Sequence, residues 1–153
     1  MDYEIAQLKE PVRHLAVTRF MTTPDQISSH MAGAFGIVFG FLGRHQIEPL
    51  GPPYGCYEMR GPEQWDVRVG CEVEQPIEAE DSIEPYDLPA CDSLSTVHVG
   101  PYDELGKAYE ALETRAHELG LELDPEMMWE EYLSGPEVPA EQTRTVVHWP
   151  VHA

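Results

Sequence analysis

The chain has 153 residues, 42% of them hydrophobic, and its 28 acidic against 9 basic side chains give a formal net charge of -19. That is the size of one domain or two fused half-domains. No apolar run approaches the ~20 residues that span a bilayer, and the opening Met1-Asp2-Tyr3-Glu4 lacks the basic start of a signal peptide, so a soluble, cytoplasmic protein without membrane contact is expected. A field of this sign repels phosphate backbones, which argues against direct nucleic-acid binding, and attracts cations.

In chain order, residues 3–8 alternate weakly and predict an edge strand that Glu10-Pro11 breaks. His14–Met21 predicts a strand. Thr22-Thr23-Pro24-Asp25 has the form of a helix start, with a Thr cap and Pro in the first turn. A 3.6-residue stripe of Ile27, Met31, Ala34, Phe35, Val38, Phe39 and Leu42 carries that helix on to Gly43–Gln46. Gly33, Gly36, Gly40 and Gly43 are unfavourable inside a helix by ~1 kcal/mol each relative to Ala. Close packing on a sheet, room for a ligand, or simple tolerance would account for them.

Residues 47–55 form a Pro/Gly-rich connection, Tyr54–Met59 a strand, and Gly61-Pro62-Glu63 a turn. Trp65–Val73 alternates apolar and polar residues cleanly and predicts a strand. Glu74–Pro89, with six acids and three prolines, predicts an exposed linker. The pattern then restarts: a strand at Leu94–Val99, and a helix begun by Gly100-Pro101-Tyr102-Asp103. Leu105, Ala108, Tyr109, Leu112, Ala116 and Leu119 form its apolar stripe, and Gly120 ends it. A connection at Leu121–Pro125, a strand at Met127–Leu133, a loop at 135–139 and a strand at Thr143–Val151 complete the chain. Ile47 to Tyr54 and Leu121 to Met128 are both steps of seven residues. A repeat on this scale predicts an α+β fold of two tandem β-α-β-β modules with pseudo-two-fold symmetry, antiparallel sheets, one helix per module and a central groove. Its expected bounds are 3–73 for the first module, 74–89 for the linker and 90–151 for the second.

Cys56, Cys71 and Cys91 are an odd number without CxxC spacing, which fits neither a disulfide framework nor a zinc site; they are expected as buried thiols. The seven histidines are scattered, and Pro150 interrupts His148 and His152. No metal and no cofactor are expected.

The unusual stretch is Met127-Met128-Trp129-Glu130-Glu131-Tyr132-Leu133. Alternation puts Glu130 and Tyr132 on one face of the strand, and Trp129, Glu131 and Leu133 on the other. One glutamate must therefore point inward, where a carboxylate is costly unless something pairs with it. A cationic ligand, or chemistry that needs a carboxylate, would be a reason to keep it.

Gly51-Pro52-Pro53-Tyr54, Asp66-Val67-Arg68-Val69-Gly70-Cys71-Glu72-Val73, His98-Val99-Gly100-Pro101-Tyr102, Trp129-Glu130-Glu131-Tyr132-Leu133 and the strand Val147–Val151 occur here in one order. Together they resemble the GyrI-like, or effector-binding, superfamily, from about Ile5 to Val151. The resemblance implies a tandem of two β-α-β-β modules. Its members are the ligand-binding halves of AraC-type and MerR-type regulators, a gyrase inhibitor, and enzymes that hydrolyse cyclopropane-containing genotoxins. It selects Glu130, in its aromatic-Glu-x-Tyr setting, as the inward carboxylate and leaves Glu131 as the solvated one. With only about ten residues before the first core strand, too few for a helix-turn-helix, a stand-alone member is expected.

The reading that results is a protein that binds lipophilic, cationic aromatic small molecules in an aromatic pocket floored by Glu130. Tyr132, Trp129, Tyr102, Tyr57, Phe39, Trp65, Tyr109 and Trp149 are its candidate walls. One alternative is a hydrolase of electrophilic small molecules, with Glu130 activating water and Tyr132 positioning the substrate. Another is a gyrase-inhibitor-like role in protein interaction. Exposed strand edges leave a homodimer open.

Overall fold

The structure is a computed structural model and describes residues 3–135 and 137–152. Pro136, in the loop expected at 135–139, lies outside the described residues. Among the described residues, nine strands and two α-helices follow one another as β1 (Ile5–Glu10), β2 (Arg13–Thr22), α1 (Ile27–Arg44), β3 (Pro53–Gly61), β4 (Gln64–Glu72), β5 (Ile83–Leu88), β6 (Cys91–Val99), α2 (Leu105–Leu119), β7 (Glu122–Leu123), β8 (Met127–Tyr132) and β9 (Arg144–His152). The class is α+β with antiparallel pairing, as the periodicities predict. The chain divides into two compact units: Val12–Pro89, and Met1–Pro11 with Ala90–Ala153.

In the first unit the strand order is β3-β4-β2-β5, all antiparallel. Three expectations differ here from what the structure shows. The acidic stretch is not all linker, because Ile83–Leu88 pairs along β2, from Thr18↔Ile83 to Arg13↔Leu88. Ile83 and Leu88 are 2% and 0% exposed, so the acids between them ride on a strand whose ends are anchored in apolar surface. The glycines of α1 do not pack on the sheet either. Gly33, Gly36 and Gly43 have no atom within 4 Å of where a Cβ would stand, and Gly40 meets only the Arg44 side chain. Val38, Phe41 and Leu42 make the contact instead, in one core cluster with Ala16, Cys71, Val73 and Ile83. The expected Thr cap takes another form. Thr23 precedes a single 3-10 turn at Pro24–Gln26, and its hydroxyl donates to Asp25 at 2.6 Å rather than capping a backbone N–H.

Gly70 is the glycine this unit requires. A Cβ there would stand 1.9 Å from the Ala16 carbonyl oxygen, so β2 and β4 could not keep their spacing. Gly70→Ala is expected to destabilise by about 1–3 kcal/mol, the usual range for forced overpacking, read as a lower urea midpoint with unchanged slope.

In the second unit the order is β8-β9-β6-β1, with β7 also on β9. Its core is Leu94, Ala108, Leu112, Ala116, Val147 and Val151. Full burial of a leucine such as Leu94 or Leu112 contributes roughly 1.5–3 kcal/mol. Gly120, at φ 68°, ends α2 in the left-handed conformation that favours glycine. The N-terminal strand, expected with the first module, belongs to this unit: β1 pairs β6 from Ile5↔Thr96 to Glu10↔Cys91. Its hydrogen-bonding edge, not its place in the chain, decides where it sits.

The registers let rows of the two units be set side by side. Across the first unit runs the row Ile83, Thr18, Val69, Gly55; across the second runs Ile5, Thr96, Val147, Glu130. A neighbouring row reads Phe20, Val67, Tyr57 in the first unit and His98, Thr145, Tyr132 in the second. Tyr54 therefore corresponds to Trp129, one residue later than the loop lengths suggest. The second unit places Glu, Thr and His where the first has Gly, Val and Phe.

Candidate ligand site on the second unit

Glu130 and Tyr132 point from β8 to the side of the sheet that carries α2, because the tyrosine of that helix, Tyr109, reaches the same carboxylate. The Tyr109 hydroxyl donates to Glu130 Oε2, and the Tyr132 hydroxyl donates to Oε1 at 2.9 Å. Glu130 is 7% exposed and Tyr132 9%. Burial pushes the Glu130 carboxyl above the usual carboxylate range; the two tyrosine hydroxyls and His98 act in the opposite direction without reversing it.

Aromatic side chains surround this group. Tyr102, exposed at the start of α2, meets the Tyr132 ring edge-on with centroids 6.2 Å apart. Burial and the neighbouring Glu130 raise the Tyr102 phenol above its ordinary value. Trp149 meets Tyr109 edge-on at 5.5 Å and is itself fixed by its Nε1–H, which donates to the Asp124 carbonyl at 2.8 Å. Asp124 Oδ1 accepts from the backbone N–H groups of Glu126 and Met127, both at 2.9 Å. This is an Asx turn that launches β8 in the register that presents Glu130.

Five of the candidate residues thus come together: Glu130, Tyr132, Tyr109, Tyr102 and Trp149. Trp129 does not join them. It points from the opposite face of the sheet and stacks on His148 at 5.1 Å and 10°. Tyr57 and Trp65 pack edge-on with centroids 6.1 Å apart in the first unit. Phe39, also in the first unit, is 46% exposed on α1 and stacks with Phe35 at 6.3 Å. Aromatic identity alone could not sort these residues between the two units.

Glu131 is not simply a solvated acid. It is half-buried, and its Oε1 lies 2.6 Å from His148 Nε2. Glu10 Oε2 lies 2.7 Å from the other ring nitrogen and accepts from the Ser93 hydroxyl at 2.6 Å. Burial alone would lower the His148 pKa, but the two carboxylates outweigh it and the net shift is upward. The carboxylates sit on opposite sides of the ring, so they do not converge on a metal. Among the described residues no group of His, Cys, Asp and Glu is arranged to hold one.

Sequence reasoning also passed over His98. It is 2% exposed; its Nε2–H donates to the Pro101 carbonyl at 3.1 Å, which in the neutral ring leaves Nδ1 to accept from the Tyr3 hydroxyl at 2.9 Å. Its sequence signal was its place in the His98-Val99-Gly100-Pro101-Tyr102 stretch, which carried no role for it. Burial pushes the Cys71 thiol up to about 11, so it stays protonated near neutral pH.

The model of the GyrI-like small molecule binding domain matches residues 1–152. The chain belongs to the GyrI-like family. No curated protein matches it. Among solved structures, this GyrI-like chain is similar to EcmrR in a cryo-EM structure of its DNA complex, with TM-score 0.81 and 22% identity over 98% of this chain and 57% of that one. It therefore spans little more than half of that EcmrR chain. It is similar to the crystal structure of the EcmrR C-terminal domain, with TM-score 0.75 and 21% identity over 99% of both chains. It is also similar to SAV2435 bound to tetraphenylphosphonium, with TM-score 0.67 and 14% identity over 100% of this chain and 95% of that one. At these identities the likeness is one of fold. No helix among the described residues of this GyrI-like protein is long and apolar enough to cross a membrane.

Proposed function

We propose that this GyrI-like protein binds lipophilic aromatic cations on the α2 side of its second unit, with Glu130 as counter-charge. The observation that carries the reading is the Glu130 carboxylate, buried and held by two tyrosine hydroxyls, at a row position where the first unit has Gly55. The sister row shows that the fold does not need an acid there. Burying a carboxylate without a cation is costly, and a ligand that brings positive charge offsets that cost. The rings of Tyr102, Tyr109, Tyr132 and Trp149 supply faces worth ~0.5–2 kcal/mol each to a cation. SAV2435 bound to tetraphenylphosphonium is a family precedent for such a ligand.

Hydrolysis through Glu130 is less well supported. Both carboxylate oxygens already accept a tyrosine hydroxyl, so a water could be activated only where one of these bonds gives way. Calorimetric titration with tetraphenylphosphonium tests the binding reading. Saturable binding by the wild type, weakened at least about 30-fold in Glu130→Gln (2 kcal/mol or more for a desolvated charge pair), supports it. Equal affinity in the two proteins sinks it.

A further inference from the structure

We propose that the Thr145 hydroxyl is a second ligand contact of the Glu130 site, and that the ligand is an aromatic cation carrying a hydroxyl or carbonyl group beside its charge. This rests on the cation-binding reading and narrows the ligand class.

Thr145 is 0% exposed, and its Oγ1 has no hydrogen-bond partner. Buried hydroxyls are nearly always satisfied, so an exception needs a reason. Thr145 stands directly opposite Tyr132 on one side and His98 on the other, which puts it on the face that carries Glu130. Neither neighbour is placed to satisfy it. The Tyr132 hydroxyl donates to Glu130. The His98 nitrogens are engaged by Pro101 and Tyr3.

The fold does not require this hydroxyl. The equivalent row of the first unit reads Phe20, Val67, Tyr57, and Val67 is 0% exposed. Valine has the shape of threonine without the oxygen, so the same sheet position is filled without a polar atom. The second unit therefore differs from the first at two places that would matter to one ligand: Glu130 for Gly55 and Thr145 for Val67. Glu130 pairs with Val147, two residues along β9 from Thr145, so the two are diagonal neighbours, roughly 7–8 Å apart. That spacing suits a charge and a polar group on one small aromatic molecule. Thr145 can donate or accept, so a hydroxyl or a carbonyl would serve.

The test uses two probes that differ by one oxygen, tetraphenylphosphonium and (4-hydroxyphenyl)triphenylphosphonium. Affinities are measured by calorimetry on the wild type, Thr145→Val and Thr145→Ser. The wild type is expected to prefer the hydroxylated probe by about tenfold, the worth of one buried hydrogen bond. Thr145→Val should erase the preference and Thr145→Ser should keep it. Equal affinities in the wild type, or a preference that survives in Thr145→Val, overturn the inference while leaving the cation reading in place. Failure of both probes to bind the wild type overturns the cation reading and this inference with it. Val67 is the internal precedent that Thr145→Val folds, and circular dichroism checks that it does.

Discussion

Glu130→Gln is expected to melt at a higher temperature than the wild type at pH 8, although it loses the proposed ligand. The Glu130 carboxyl holds its proton to a higher pH when folded than when unfolded. Its contribution to stability is fully present below the ordinary carboxylate pKa of about 4.3. It is lost as pH rises through the folded value, and beyond that the charge is a standing cost. Gln keeps the shape and one acceptor for a tyrosine hydroxyl but does not titrate. The gain should reach on the order of 1–3 kcal/mol, the scale of an imperfectly paired buried polar group, and should vanish toward pH 4. Thermal melts of both proteins across this range measure it. A variant less stable than wild type at pH 8 would show that the tyrosine pair fully compensates the charge. Stability given up for a site is a familiar exchange, and here both sides of it are read from one substitution.

His148→Leu should lower stability by about 3–5 kcal/mol, the usual result of removing one partner from a buried charge cluster. It leaves the buried Glu10 and half-buried Glu131 carboxylates without the imidazole that lies between them. Adding Glu10→Gln and Glu131→Gln should recover most of the loss, because the damage comes from the acids that lose the ring and not from the missing ring itself. The pH dependence separates this cluster from Glu130. The His148 pKa is raised, so its contribution is complete below the ordinary histidine value of about 6.5 and declines as pH rises through the folded one. Wild type should therefore lose stability with rising pH through both groups. Glu130→Gln removes one contribution and His148→Leu the other. Equilibrium urea unfolding at stepped pH resolves them.

Local pattern carried much of this protein. The 3.6-residue stripes of α1 and α2, the alternation of β4 and the Gly120 stop were all legible, and alternation along β8 already separated Glu130 and Tyr132 from Trp129 and Glu131. What local pattern could not supply was partnership over distance. Glu10 meets His148 across 138 residues of chain, and nothing near either residue announces the other. β5 was hidden because its acids and Pro85 read as linker, whereas pairing with β2 needs only its two buried ends. Tyr57 and Tyr132 look alike in sequence; the register places them at matching row positions, with Glu130 two residues before Tyr132 where Gly55 stands two residues before Tyr57.

The placement of β1 bears on how the chain is made. β1 leaves the ribosome well before its hydrogen-bonding partner, β6, which spans Cys91–Val99. The whole of Val12–Pro89, a compact unit of its own, is synthesised between the two. Nascent β1 therefore spends this interval as an unpaired edge, open to capture by other chains. Its sequence, Ile-Ala-Gln-Leu-Lys-Glu, has two charges and no long apolar run, a composition suited to waiting.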